Sequence, residues 1–92
     1  MIKSISGSAT NRFATQGKSK FSGLDDDPAR QRLNELHGAS SLHDLSRLNS
    51  VGLHKFKGSL RNFWSIDVNR RWRIIFKFRD GDAYEVEIAD TH

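Results

Sequence analysis

Apolar residues recur at helical spacing in the first half of the chain and at every second position in the last third, so helices followed by strands are expected. Residues 2–6 read as a short opening strand. Residues 8–15 read as a short helix stopped by Gly17, because glycine takes the left-handed backbone that ends helices. The polar stretch 17–27, with Gly17, Ser19, Ser22, Gly23 and Asp25, Asp26 and Asp27, is a connection. It leads to the plainest helix signal, over 28–37. Asp27 caps it, Pro28 opens it, the aspartates sit at its positive end, and Ala29, Leu33 and Leu36 share one stripe before Gly38. A shorter helix over 42–48 follows a Ser40-Ser41 cap.

From Leu53 onward the period becomes two. Residues 53–57, 62–68, 71–79 and 83–89 read as strands separated by Gly58-Ser59, Asn69-Arg70 and Asp80-Gly81-Asp82, connections short enough to demand antiparallel hairpins. Trp64, Ile66 and Val68 share one face, as do Trp72, Ile74, Phe76 and Phe78, and Tyr84, Val86 and Ile88. That face is the expected core, covered by helices bearing Leu33, Leu36, Leu45 and Leu48. The fold class is therefore α+β: an antiparallel sheet of four to five strands with two to three short helices packed on one face. The opposite face presents Arg71, Arg73, Ile75, Lys77 and Arg79, with Phe63, Ser65 and Asp67 beside them.

At 92 residues the chain accommodates one core, so residues 1–92 read as a single domain. The absence of cysteine excludes disulfides, thiol catalysis and thiolate metal sites and suits a reducing compartment. No signal-peptide pattern opens the sequence and no apolar run approaches a membrane span, so the expected location is the cytoplasm, without a membrane partner.

Charge is unevenly spread. Formal charge is +4 over residues 1–24, −2 over 25–50, +7 over 51–79 and −5 over 80–92. A +7 segment interleaved with Phe56, Phe63, Trp64 and Trp72 suits a phosphate backbone with unstacked bases, and equally suits a solvated sheet face. Trp64 and Trp72 fall on the core face, which leaves Phe63 as the better stacking candidate.

The four histidines differ in context. His37 and His43 lie near helix ends, where imidazole has structural work, and no metal-ligand spacing occurs anywhere. His54 is flanked by Lys55 and near Lys57; cationic neighbours favour the neutral imidazole, which can serve as a general base or simply cap a surface strand. Asp90 and His92 stand two positions apart at the chain end. A carboxylate there would orient the imidazole, or the segment is a frayed tail. Arg73 and Lys57 could stabilise charge on the non-bridging oxygens of a reacting phosphate, or serve solubility.

Taken together, these segments resemble the HigB toxins of the RelE/ParE superfamily. The resemblance rests on Met1-Ile2-Lys3-Ser4, Leu53-His54-Lys55-Phe56-Lys57-Gly58, Phe63-Trp64-Ser65-Ile66, Asn69 with Trp72-Arg73-Ile74, Gly81-Asp82-Ala83-Tyr84 and the terminal Asp90-x-His92, and it spans nearly the whole chain. It implies a type II toxin that is a ribosome-dependent messenger RNA endonuclease, needs no metal or other cofactor, and is restrained by a HigA-like helix-turn-helix antitoxin. It implies catalytic roles for His54, Lys57, Arg73, Asp90 and His92, and RNA contacts from Lys55, Phe63, Arg71, Lys77 and Thr91, with the message held in the ribosomal decoding site. The implied chemistry is attack of a 2′-hydroxyl on the adjacent phosphate. Thr91 stands where family members commonly carry tyrosine, so it offers a hydroxyl but no ring. Relatives of ParE type inhibit DNA gyrase without cleaving RNA, and a corepressor role beside the antitoxin is a further alternative.

Overall fold

The structure, a computed structural model, describes residues 1–17, 21–48, 52–56, 58, 62–69 and 71–90. Three helices, α1 (Ser8–Gln16), α2 (Asp26–Gly38) and α3 (Leu42–Ser46), precede four strands, β1 (His54–Lys55), β2 (Trp64–Asn69), β3 (Trp72–Arg79) and β4 (Asp82–Asp90). The strands form one antiparallel sheet in the order β1-β2-β3-β4. Asp80 and Gly81 join β3 to β4 with φ of 52° and 83°, the paired left-handed backbone that a two-residue hairpin turn requires.

Each helix end has a local cause. Gly17 stops α1 at φ 70°, its N–H donating to the Phe13 carbonyl at 2.8 Å. Helix α2 begins two residues earlier than its proline suggests. Asp25 occupies the cap position and its N–H donates to Asn69 Oδ1 at 3.0 Å, while Pro28 lies within the first turn, where backbone N–H groups lack intrahelical partners anyway. At α3 the Ser41 hydroxyl accepts from the Asp44 N–H at 3.1 Å, and the Asp44 carboxylate accepts from the Ser40 hydroxyl at 2.8 Å and the Ser40 N–H at 3.1 Å.

The Ser40 hydroxyl, followed by the Ser40 N–H, holds the Asp44 carboxyl below its ordinary 3.8. A carboxyl whose pKa is depressed on folding stabilises the fold above its unfolded pKa, and that contribution is lost as pH falls through the folded value. Thermal melts recorded from pH 6 downward are therefore expected to show the parent losing its advantage over Asp44→Asn below about pH 4.

The helices lie on one side of the sheet. Phe13, Ala29, Leu33, Leu36 and Leu45 meet Ile66, Trp72, Ile74, Phe76, Ala83, Val86 and Ile88 in a buried core. Trp72 also donates its indole N–H to the Ser22 carbonyl at 3.0 Å and meets Phe21 edge-on at 5.2 Å, tying the polar connection to the sheet. Thr10 accepts from the Ile88 N–H at 3.1 Å and anchors α1 to β4. Arg32, 7% exposed, links α2 to β2 by donating Nε to the Asp67 carbonyl at 3.1 Å while Nη1 pairs with Glu35 at 2.8 Å.

Three expectations require correction. Residues 2–6 form no regular strand; they run parallel to β4 and bridge it only at Ile2 with Ala83 and Ile5 with Val86, because β4 is irregular between those points. Leu48 lies beyond the end of α3 and is 38% exposed, outside the core. Tyr84 does not share a face with Val86 and Ile88. Register along β3 and β4 shifts between Ile75 paired with Glu87 and Lys77 paired with Tyr84, so β4 carries one extra residue there. Glu85, at φ 53°, is the bulged residue; it turns Ala83 inward and Tyr84 to the opposite face.

Candidate active site

The sheet face opposite the helices is where sequence and structure place most of the polar chemistry. Directly paired residues in an antiparallel sheet share a face, so strand register defines rows across it. One row is His54, Ser65, Ile75 and Glu87. The next is Asp67, Arg73 and Ala89. His54 on exposed β1 and Arg73 on β3 thus lie on the same face, about 12 Å apart at Cα from strand spacing and rise. Two long side chains can reach one phosphodiester from those positions.

Arg73 is oriented by its neighbour. Its Nε lies 3.1 Å from Asp67 Oδ1, an ion pair across two strands that makes no hydrogen bond to that oxygen and does not involve the Nη groups. Asp67 is itself fixed, since its carbonyl accepts from Arg32 and its carboxylate lies against Gly52 so closely that any Cβ at Gly52, already at φ 61°, would collide with it. Among the site residues, Asp67 entered the sequence reading only as a bystander; the pairing across two strands that makes it the partner of Arg73 is not visible in either strand alone.

The remaining candidates are distributed more widely. Lys77 is on the same face as Arg73, with Nζ 2.9 Å from Glu85 Oε2 and 5.0 Å from the centre of the Phe63 ring. One face of the Phe63 ring is therefore occupied by an ammonium group. Lys55 pairs with Trp64 and lies on the helix side, its Nζ 5.5 Å from the Trp64 ring centre. Asp90 pairs in register with Trp72, again the helix side, and forms an ion pair with Arg71 at 3.0 Å. Arg71 also lies over the Trp72 ring at 5.9 Å. The structure brings His54, Arg73, Lys77 and Phe63 to one face and sets Lys55, Arg71 and Asp90 on the other side or at the sheet's end. Lys57, Thr91 and His92 lie outside the described residues.

Of the other histidines, His37 Nδ1 accepts from the Ile2 N–H at 3.1 Å, fastening the N-terminal segment to the end of α2, and His43 lies within α3. Among the described residues no cluster of three or more His, Asp or Glu side chains could hold a metal ion, and no helix is long and apolar enough to cross a membrane.

An antiparallel sheet with helices on one face and an arginine- and imidazole-bearing opposite face agrees with the class that sequence comparison identifies, the RelE-like toxins of type II toxin-antitoxin systems. The profile that matches, over residues 9–92, is that of the RelE-like toxin of type II toxin-antitoxin system HigB. The chain is also 38% identical over 68 residues, covering 74% of it and 73% of the relative, to Endoribonuclease HigB of Proteus vulgaris. The chain belongs to the HigB toxin family, and as a type II toxin it has an antitoxin partner.

Proposed function

We propose that this toxin is an endoribonuclease that cuts messenger RNA on the ribosome and so arrests translation in the cytoplasm, with residues 1–92 acting as one domain. The observation that carries the reading is Arg73 held by Asp67 on the same sheet face as His54, in a chain similar to a named endoribonuclease. In the proposed reaction the 2′-hydroxyl of the nucleotide attacks the adjacent phosphorus. His54 accepts the hydroxyl proton, the 2′-O–P bond forms and the P–O5′ bond breaks. Arg73 and Lys57 stabilise the charge that grows on the non-bridging oxygens. His92 returns a proton to the departing 5′-oxygen, and Asp90, ion-paired with Arg71 on the helix side of the sheet, is the proposed acidic partner of that imidazole. The products are a 2′,3′-cyclic phosphate, or its 3′-phosphate hydrolysis product, and a 5′-hydroxyl, and each role falls to a side chain without a metal.

Phe63 and Lys77 are the proposed RNA contacts on that face, with Lys55, Arg71 and Thr91 as proposed contacts beyond it, and the proposed antitoxin is a HigA-like helix-turn-helix protein. Primer extension on messages in a reconstituted translation reaction tests the reading. Cuts within translated messages, absent from the same RNA without ribosomes, are expected; intact messages accompanied by gyrase-dependent DNA damage would replace it with gyrase inhibition.

A further inference from the structure

We propose that the hollow at the β3–β4 hairpin is a subsite for a nucleotide flanking the cleaved bond, with the Tyr84 ring and the Arg79 guanidinium that lies over it as a platform for its base and Lys77 as the contact for its phosphate. The proposal rests on the endoribonuclease reading and extends it along the same sheet face. The hollow has a volume of about 450 Å³ and is lined by Ser4, Asn62, Lys77, Arg79, Tyr84 and Glu85 among others.

The β4 bulge creates this surface. With uninterrupted alternation Tyr84 would point into the core and Ala83 outward; the extra residue reverses both. Glu85 holds φ 53°, a conformation uncommon for residues other than glycine and asparagine, and its N–H donates to the Ser4 hydroxyl at 2.8 Å. Backbone strain of this kind persists where surrounding contacts enforce it, and here its result is an aromatic ring on a cationic face.

The guanidinium carbon of Arg79 lies 4.8 Å from the centre of the Tyr84 ring. A guanidinium over a ring keeps donors at its edge, and bases of single-stranded RNA stack on both aromatic rings and arginine planes. Beside this pair Lys77 is positioned by Glu85 at 2.9 Å and by the Phe63 ring at 5.0 Å, leaving ammonium hydrogens for a phosphate. Asn62 at the rim offers an amide donor and acceptor to a base edge. Lys77 is four residues along β3 from Arg73, about 13 Å, so this subsite is distinct from the phosphate held at Arg73. Both open to the same side, and a strand lying across the sheet can occupy both.

Fluorescence anisotropy with fully 2′-O-methylated oligoribonucleotides, which lack the attacking hydroxyl, tests the assignment on the whole chain. As length grows from two to eight nucleotides the parent is expected to show a step of about tenfold in affinity, the size of one base-stacking contact. In Arg79→Gln and in Tyr84→Leu the step is expected to vanish, with thermal melts establishing that both variants are folded. Arg79→Lys keeps the charge without the plane and is expected to lose the step as well. A step that survives in these variants, or a parent with none, overturns the subsite. A parent that shows the step but cuts no message in translation overturns the endoribonuclease reading alone.

Discussion

Arg73→Ala is expected to slow message cleavage by about a hundredfold or more while leaving the chain folded. The residue lies on the open face with its side chain 34% exposed, so its removal opens no core cavity. What is lost is a guanidinium ion-paired with Asp67 at 3.1 Å, whose donors, in the proposed reaction, meet a pentacoordinate phosphate with more charge than the ground state. Losing an interaction strengthened in that way lowers kcat more than it raises KM. Arg73→Lys restores the charge but not the two-pronged geometry and is expected to recover only part of the rate. Single-turnover cleavage on programmed ribosomes, with a melt of each variant alongside, measures the effect; a variant that is folded and cuts at the parental rate contradicts the assignment.

Phe76→Ala is expected to lower the unfolding free energy by about 4 kcal/mol, the usual cost of emptying a large aromatic site in a packed interior. Phe76 is fully buried and meets Phe78 edge-on at 6.3 Å between ring centres. Small domains have only about 5–15 kcal/mol in total, so this substitution removes between about a quarter and four fifths of it. Its neighbour Ile75 is on the other face and half-buried, and Ile75→Ala is expected to cost less than half as much. Urea titration checks both. Equal costs would mean that the faces of β3 are misassigned, and with them the placement of Arg73.

The same strand shows how far the sequence could be read. Strict alternation through Trp72, Ile74 and Phe76 against Arg73, Ile75 and Lys77 determines both faces of β3 without further information, because the pleat has a period of two. The Ser41 cap and the Gly17 stop are equally local, since each depends on one side chain or one backbone angle. What escaped depends on pairing between distant segments. The earlier start of α2 comes with a bond from the Asp25 N–H to Asn69, 44 residues away, which no local pattern announces. Lys55 faces the helix side because it meets Trp64 on β2, which β1 alone does not encode, whereas Asp90 shares its parity with buried Val86 and Ile88 and its side was legible within β4. The bulge at Glu85 did leave a trace. Buried Ala83, Val86 and Ile88 are spaced three and then two apart, a break in alternation at the point where the extra residue sits.

The chemical nature of the cut ends tests the central claim most directly. Messages cleaved by the toxin in a reconstituted translation reaction can be recovered and their termini assigned by mass spectrometry and by sensitivity to polynucleotide kinase. Internal attack by a 2′-hydroxyl, with imidazoles moving the protons and Arg73 steadying the phosphate, predicts a 5′-hydroxyl on one fragment and a 2′,3′-cyclic phosphate or 3′-phosphate on the other. Fragments ending in 5′-phosphate and 3′-hydroxyl would contradict it, because water rather than the ribose would then be the nucleophile.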